Sequence, residues 1–325
     1  MRIVRSTIIA AAAVLALTSA VSAQDYPSRQ VTIVVPFGAG GSVDIVGRLV
    51  AQQLTDRLGK PFIVENRPGA GTATATTAVA KSAPDGHTLL FAPSGTFAIN
   101  PTLYKQLAYD PLKDLTMVAL VTRDPLVLVV NPSLPVKSLA ELIKYAKDNP
   151  RKVSFASTGP GTSLTLLGEL LKFTAGIDIV SVGYRSGAQG LQDVVAGQVQ
   201  MMFADPASGI VQAQAGKVRA LAVSSGTRLA IAPDLPTFAE AGLPGVAIES
   251  WEMLAAPAAT PAPIVQRINT ELRAVLTLPS IQKQLNDRGQ IPVVSPPPAE
   301  LEAFVKEQQA RWGDVVRRSG QAGSL

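Results

Sequence analysis

The sequence predicts an α/β protein of two lobes, and three observations carry that expectation. Strand-like and helix-like patterns alternate almost throughout the chain after residue 23, which implies mostly parallel sheets flanked by helices. The chain has 325 residues, more than one small sheet needs. Two glycine-rich turns, far apart in the sequence, each lead from an apolar strand into a helix.

The elements follow in order. The first strand, Val31–Val35, ends at Pro36 and passes Gly38, Gly40 and Gly41 into a helix expected over Ser42–Leu58. Val43, Val46, Leu49, Val50 and Leu54 give that helix one apolar face. Further strand-like runs fall at 62–64, 88–91, 118–121, 126–130, 153–156, 179–182, 200–203 and Arg219–Val223. Helical patterns fall at Leu139–Asp148, Ser163–Ala175, 188–196 and 207–215. The tail adds 262–277 and, beyond Pro296-Pro297-Pro298, a helix over 299–318. Turn-forming residues at 122–125 and 224–233 separate strand-rich segments and mark the expected crossings between lobes. One lobe then comprises 24–123 with 225–325, and the other comprises 124–224.

The start of the chain reads as an export signal. Arg2 and Arg5 precede an apolar segment from Ile8 to Leu17, and Val21-Ser22-Ala23 supplies a small-x-small cleavage site, so a signal peptide over 1–23 is expected. The apolar run is shorter than the ~20 residues of a spanning helix. Without Arg2 and Arg5 the 29 basic residues fall to 27, against 24 acids, a net charge of about +3. The charges are dispersed and aromatic residues make up 5%, so nothing supports nucleic-acid binding.

Composition argues against catalysis. With no cysteine and one histidine, the chain lacks a thiol nucleophile and the residues for a zinc or multi-histidine metal site. No cofactor is expected. His87 lies in Pro84-Asp-Gly-His-Thr-Leu-Leu90, a turn leading into a strand, and is expected to be a turn residue.

The chemistry is expected at the glycine turns. A strand, a glycine turn and a helix N-terminus place free backbone N–H groups at the positive end of a helix dipole, which suits an anion. The turn Ser154-Phe-Ala-Ser-Thr-Gly-Pro-Gly-Thr-Ser163 repeats the pattern of the first in the other lobe. Both turns sit at carboxyl ends of strands, where open α/β sheets bind ligands, so the pair could grip one anionic group from both sides of a cleft. A dinucleotide fingerprint fails, because Val43 stands where the third glycine belongs, and no Gly-Lys-Ser/Thr follows for a phosphate loop. Arg67, Tyr184, Arg185 and Asp205 follow other strands near the expected cleft edge. Each has an ordinary alternative: an ion pair for Arg67, a helix cap for Asp205.

An ordered series of motifs carries a resemblance to a known family. Tyr26-Pro-Ser-Arg-Gln-Val-Thr-Ile-Val-Val-Pro-Phe-Gly-Ala-Gly-Gly-Ser-Val-Asp44, Val64-Glu-Asn-Arg-Pro-Gly-Ala-Gly71 and Pro84-Asp-Gly-His-Thr-Leu-Leu90 resemble the Bug family. So do Ile99-Asn-Pro-Thr-Leu-Tyr104, Tyr184-Arg185 and Ala215-Gly-Lys-Val-Arg-Ala-Leu-Ala222. These are the extracytoplasmic solute-binding proteins of tripartite tricarboxylate transporters, and the resemblance spans nearly all of the chain after the signal. It implies a two-lobed periplasmic-binding-protein fold with a hinge cleft that closes on a small organic carboxylate: mono-, di- or tricarboxylate, or an aromatic acid. The ligand passes to the transporter's membrane subunits, and the binding protein works as a monomer in the periplasm. The resemblance assigns the carboxylate to Phe37, Ala39, Gly40, Gly41, Ser42 and Asp44 in the first turn, and to Ser157, Gly159, Gly161 and Thr162 in the second. Ser94, Thr96, Thr165, Tyr184, Arg185 and Asp205 would read the rest of the ligand. Thr165 stands where many relatives have histidine, and Ala204-Asp205 where many have Asp-Asn. An exported enzyme acting on a carboxylate through His87 or paired acids, and a ligand-sensing co-receptor, are the readings from other classes.

Overall fold

The β1 strand, Val31–Val35, shows why the first sheet is covered on both faces. Its side chains alternate, with Val31, Ile33 and Val35 in one apolar cluster and Val34 in another. The first cluster takes the inner faces of α1 (Ser42–Leu58) and α8 (Ala262–Leu276), through Val46, Leu54, Ile264, Ile268 and Leu272. The second takes α2 (Ala73–Ala80) and α10 (Pro298–Arg318), through Ala75, Val79, Val305 and Trp312. The computed structural model describes residues 26–325, so the signal peptide expected over 1–23 lies outside the described residues.

The first sheet adds β2 (Phe62–Asn66), β3 (Thr88–Pro93), β4 (Leu115–Asp124), β10 (Ser250–Pro257) and β11 (Ile291–Pro292), in the order β11-β4-β10-β3-β1-β2. The second sheet contains β5 (Val127–Val130), β6 (Ser154–Ser157), β7 (Val180–Gly183), β8 (Met201–Ala204) and β9 (Arg219–Val223), in the order β7-β6-β8-β5-β9. Helices α4 (Leu139–Asp148), α5 (Ser163–Ala175), α6 (Gly187–Ala196) and α7 (Pro206–Gln214) flank it. A π-helical turn, Gly95–Ile99, runs into the short α3 (Asn100–Leu103), and α9 (Pro279–Asn286) precedes β11. The fold is a two-lobed α/β structure, as the alternation predicts.

The sheets are mixed, which corrects the expectation of mostly parallel ones. β1 pairs in parallel with β2 and β3, and β6 with β7 and β8. β10 is antiparallel to β3 and β4, and β5 to β8 and β9. The reason is connectivity: β4 passes straight into β5 of the other sheet, so the strand that completes each sheet arrives from the opposite lobe and runs the opposite way. The chain returns to the first sheet at Ser250. The segment before it rests on the second sheet, where Val223 bridges Thr237 and Phe203 stacks on Phe238 at 5.7 Å.

The crossings lie side by side. Ser224 N–H donates to the Leu126 carbonyl at 2.9 Å, and the Ser224 hydroxyl accepts from Leu126 N–H at 2.9 Å. Ser250 pairs with Asp124 at the same level. The two lobes are therefore joined by a narrow ribbon, a place where small backbone rotations can swing one lobe against the other.

Candidate functional site

The first glycine turn is held from beneath by a carboxylate. Asp44, in the first turn of α1, is 2% exposed. Its Oδ2 accepts from Gly40 N–H at 2.8 Å and from Arg48 Nε at 3.0 Å, and its Oδ1 accepts from Asn66 Nδ2 at 2.8 Å. Asn66 Nδ2 also donates to the Phe37 carbonyl at 3.0 Å. Burial raises the Asp44 carboxyl, but the bonds from Arg48, Gly40 and Asn66 outweigh it and bring it down to about 2. Asp44 therefore stays ionised and shapes the turn. Gly41, the N-cap of α1, offers no side-chain acceptor, so the first N–H groups of the helix stay open towards the cleft.

The second turn is knotted by hydroxyls. Thr162 caps α5 by accepting from Thr165 N–H, and the Thr165 hydroxyl accepts from Thr158 N–H at 3.1 Å. Thr165 thus holds the loop in shape at the position where the resemblance marks a departure. Gly161 adopts φ +72°, and a Cβ there would lie 2.1 Å from Leu103 Cδ2, on the other lobe. Its N–H donates to Gln321 Oε1 at 2.9 Å. On the other side of the cleft Gly289, at φ +74°, approaches Pro206 so closely that a Cβ would come within 2.4 Å of Pro206 Cβ. The lobes touch at these two points, with the cleft between them.

Two adjoining cavities fill that cleft and share Pro93, Ser163 and Ser250 as walls. One, of about 220 Å³, is lined by Phe37, Ser94, Leu103, Gly161 and Thr162 among others. The second, of about 400 Å³, runs from Ser42 and Val43 at the start of α1 to Asp124, Asp205, Glu252, Arg288 and Gln290. The Ser94 hydroxyl meets that of Ser250 at 2.8 Å. A wider depression of about 540 Å³ on the second lobe, lined by Pro132, Ile210 and Val218, holds neither glycine turn.

The acids of the second cavity follow from strand register. β10 sets Glu252 opposite Thr122 and Ser250 opposite Asp124, while Trp251 alternates to the other face and stacks on Phe97 at 5.6 Å. Burial raises Glu252 well above the usual carboxylate range, and the neighbouring Asp124 adds to the rise. Asp124 is also raised by desolvation, with contributions from Asp205 and Glu249, although part of its surface meets the cavity and lets solvent temper the effect. The cleft walls likewise raise Asp205, whose side chain still reaches solvent. Asp205 precedes α7 without making a side-chain capping bond.

Of the residues expected at the site, Phe37, Ser42, Ser94, Gly161, Thr162 and Asp205 line these cavities. Ala39, Gly40, Gly41 and Gly159 lie in the turns just behind them. Thr96 is fully buried and donates to the Thr72 hydroxyl at 3.0 Å, and Ser157 is buried with its hydroxyl 3.3 Å from the Val182 carbonyl. Tyr184 lies beside Asp193 of α6, and Arg185 is exposed. Arg67 forms its ion pair with Glu65. His87 is buried against Tyr26 at the far end of β3 from Pro93, about 20 Å from the cleft at the rise of a strand. Sequence reasoning missed Arg48, Asp124, Glu252 and Gln290. Glu252 alone carried a visible signal, a charge inside the apolar run Ser250–Pro257.

Comparison with known proteins places this geometry. The family model described as "Tripartite tricarboxylate transporter family receptor" matches residues 46–321. BugT of Bordetella pertussis is 35% identical over 305 residues, covering 94% of this chain and 93% of BugT. The R. palustris protein Rpa4515, solved with adipate, superposes with a TM-score of 0.81 at 36% identity, over 92% of this chain and 99% of its own. MatC from Rhodopseudomonas palustris, with bound malate, gives 0.75 at 37% identity, over 90% of this chain and 100% of its own. With a family match over most of its length and relatives of this identity, the chain belongs to the tripartite tricarboxylate transporter receptor family, as the Bug-like motifs imply.

Proposed function

We propose that the protein captures a small organic carboxylate between its lobes in the periplasm and delivers it, chemically unchanged, to the membrane subunits of a tripartite tricarboxylate-type transporter. The observation that carries this reading is the convergence of both glycine turns on one interlobe cleft. Phe37 comes from the first turn, and Gly161 and Thr162 from the second. The open N-terminus of α1 supplies N–H donors and partial positive charge without a counter-charge that a carboxylate would have to displace, since Asp44 is already satisfied by Arg48 and Asn66. The bound adipate of Rpa4515 and malate of MatC support a carboxylate as the ligand here.

The mechanism is a population shift. A carboxylate that touches both turns binds the closed form better than the open one, and that difference moves the lobes together about the Leu126–Ser224 ribbon. Nothing in the step requires bond making, and a clamp that presents itself to a membrane partner works as a monomer. Export rests on the leader pattern at 1–23.

The test is thermal unfolding against aliphatic mono-, di- and tricarboxylates, aromatic acids and amino acids. A ligand at ~100 times its Kd stabilises by about 2.7 kcal/mol, which raises Tm by a few degrees for a chain of this size. A shift confined to one chemical group names the substrate class. No shift with any acid sinks carboxylate capture.

A further inference from the structure

Resting on that reading, we infer that the floor of the cleft is a cation subsite, and that the solute is a carboxylate carrying an ammonium group. Three observations lead there. Thr122, fully buried, places its hydroxyl 3.4 Å from both Asp124 Oδ2 and Glu252 Oε2. A hydroxyl has one proton, so it cannot serve Asp124 Oδ2 and Glu252 Oε2 at once. Gln290, 5% exposed, spends both protons of its Nε2 on Asp124 Oδ1 at 2.9 Å and Ser42 Oγ at 3.3 Å. Its Oε1 is buried without any hydrogen-bond partner.

The floor thus holds acceptors in excess, and every added carboxyl deepens the deficit. Asp205 enters from the start of α7, while Glu249, just before β10, lines a separate cavity with Arg123 and Arg311. The basic groups nearby are engaged elsewhere or lie at a distance. Arg288 donates through Nη1 to the Gln284 carbonyl and forms no ion pair with these acids among the described residues. Arg123 and Arg311 act on Glu249 from the opposite side of β10. An ammonium brings three donors and no acceptor, the complement of what this floor lacks.

The rest of the cavity fits the other end of such a solute. Ser42 and Val43 bring the positive start of α1 to the same cavity as Asp124 and Glu252, and Ser163 brings the start of α5 from the facing lobe. A zwitterion can therefore lay its carboxylate at the helix starts and its ammonium on the acids. With the cation bound, the raised carboxyls ionise, so uptake at neutral pH expels protons. A plain dicarboxylate would place its second charge against the acids and could be held only if they kept or gained protons.

The experiment is isothermal titration of the full chain after leader removal, at neutral pH and in buffers of differing ionisation enthalpy. Two matched series serve as probes: butyrate, γ-aminobutyrate and succinate, and caproate, ε-aminocaproate and adipate. The ω-amino acid of at least one series is expected to bind about tenfold or more tighter than both companions, a difference a titration resolves easily, and to release protons on binding. In Glu252→Gln and in Asp124→Asn, each checked for folding by its melting curve, that preference and the proton release are expected to vanish together. Binding of the simple acids or diacids with no gain for the amine overturns the cation subsite and leaves carboxylate capture standing. Persistence of the amine preference in both variants overturns it as well. Failure of every probe to bind overturns the cation subsite, while carboxylate capture is decided by the wider thermal panel.

Discussion

Gly161 shows how much one missing side chain can decide. Its φ of +72° is a left-handed conformation that costs a non-glycine residue roughly 1–2 kcal/mol, and Leu103 occupies the space a Cβ would need. Gly161→Val is therefore expected to lower Tm by a few degrees and to weaken solute binding at least about tenfold, since it wedges the lobes apart. Adding Leu103→Ala should restore part of the affinity by returning the space, but not the backbone cost. Titration and melting curves of both variants check this, and unaltered affinity in Gly161→Val would sink the closure geometry. Glu252 makes a prediction of opposite character. Its carboxyl is raised above 4.5 in the folded protein, so its protonated form favours folding. That contribution is complete at low pH and is lost as pH climbs from about 4.5 through the raised folded value, because the unfolded chain ionises first. Glu252→Gln should flatten the decline of Tm over that window and raise Tm at mildly alkaline pH, which a melting series across pH would show. The turns themselves were legible, because glycines between a strand and a helix announce their geometry. What fills the space behind them was not: Arg48 and Asn66 meet Asp44 from one turn of helix and a different strand, and only the folded register brings them together.

At the scale of elements, local signals did most of the work. Ser138 caps α4 by accepting from Glu141 N–H, while Glu141 Oε2 accepts from Lys137 N–H at 2.6 Å, a reciprocal arrangement written in five consecutive residues. Ser138→Ala should cost about 1 kcal/mol, visible as a drop of a few degrees in Tm, with solute affinity unchanged because α4 lies outside the cleft cavities. The side-chain-capped helices α4 and α5, and α1 with its clear apolar stripe, coincide with their expected bounds. β10 did not show itself. Seven of its eight residues are fully buried, so it lacks the alternation that marks a half-exposed strand, and its pairing partners lie over a hundred residues away in sequence. That omission also hid the acids, since Glu252 gains its meaning only opposite Thr122.

The whole molecule is two lobes, a ribbon and a cleft whose walls come from many separate stretches of chain. Closure on a solute should reduce the radius of gyration measured by X-ray scattering, with no change in mass. A radius indifferent to a saturating ligand would count against a hinge. The lobes could be expected from alternation and length, and crossings at 122–125 and 224–233 from their turn residues. The path back was not legible beyond those turns, because 224–249 mixes turns, short bridges and buried apolar residues that pack on the second sheet without forming a strand of their own.

One long helix spans these units. From the first lobe α10 donates through Gln309 Nε2 to the Phe97 carbonyl at 2.8 Å, and towards the second it sends Arg311 to the Ala247 carbonyl and Arg318 over the Phe173 ring at 5.3 Å. The chain has two tryptophans, and this helix touches both: Trp312 belongs to it, and Trp251 donates to its Gln308 Oε1 at 3.3 Å. The intrinsic ultraviolet emission of the protein is thus a gauge wired to α10. A solute that draws the lobes together tugs on the helix from both lobes, and the colour and intensity of that light report the movement without a label.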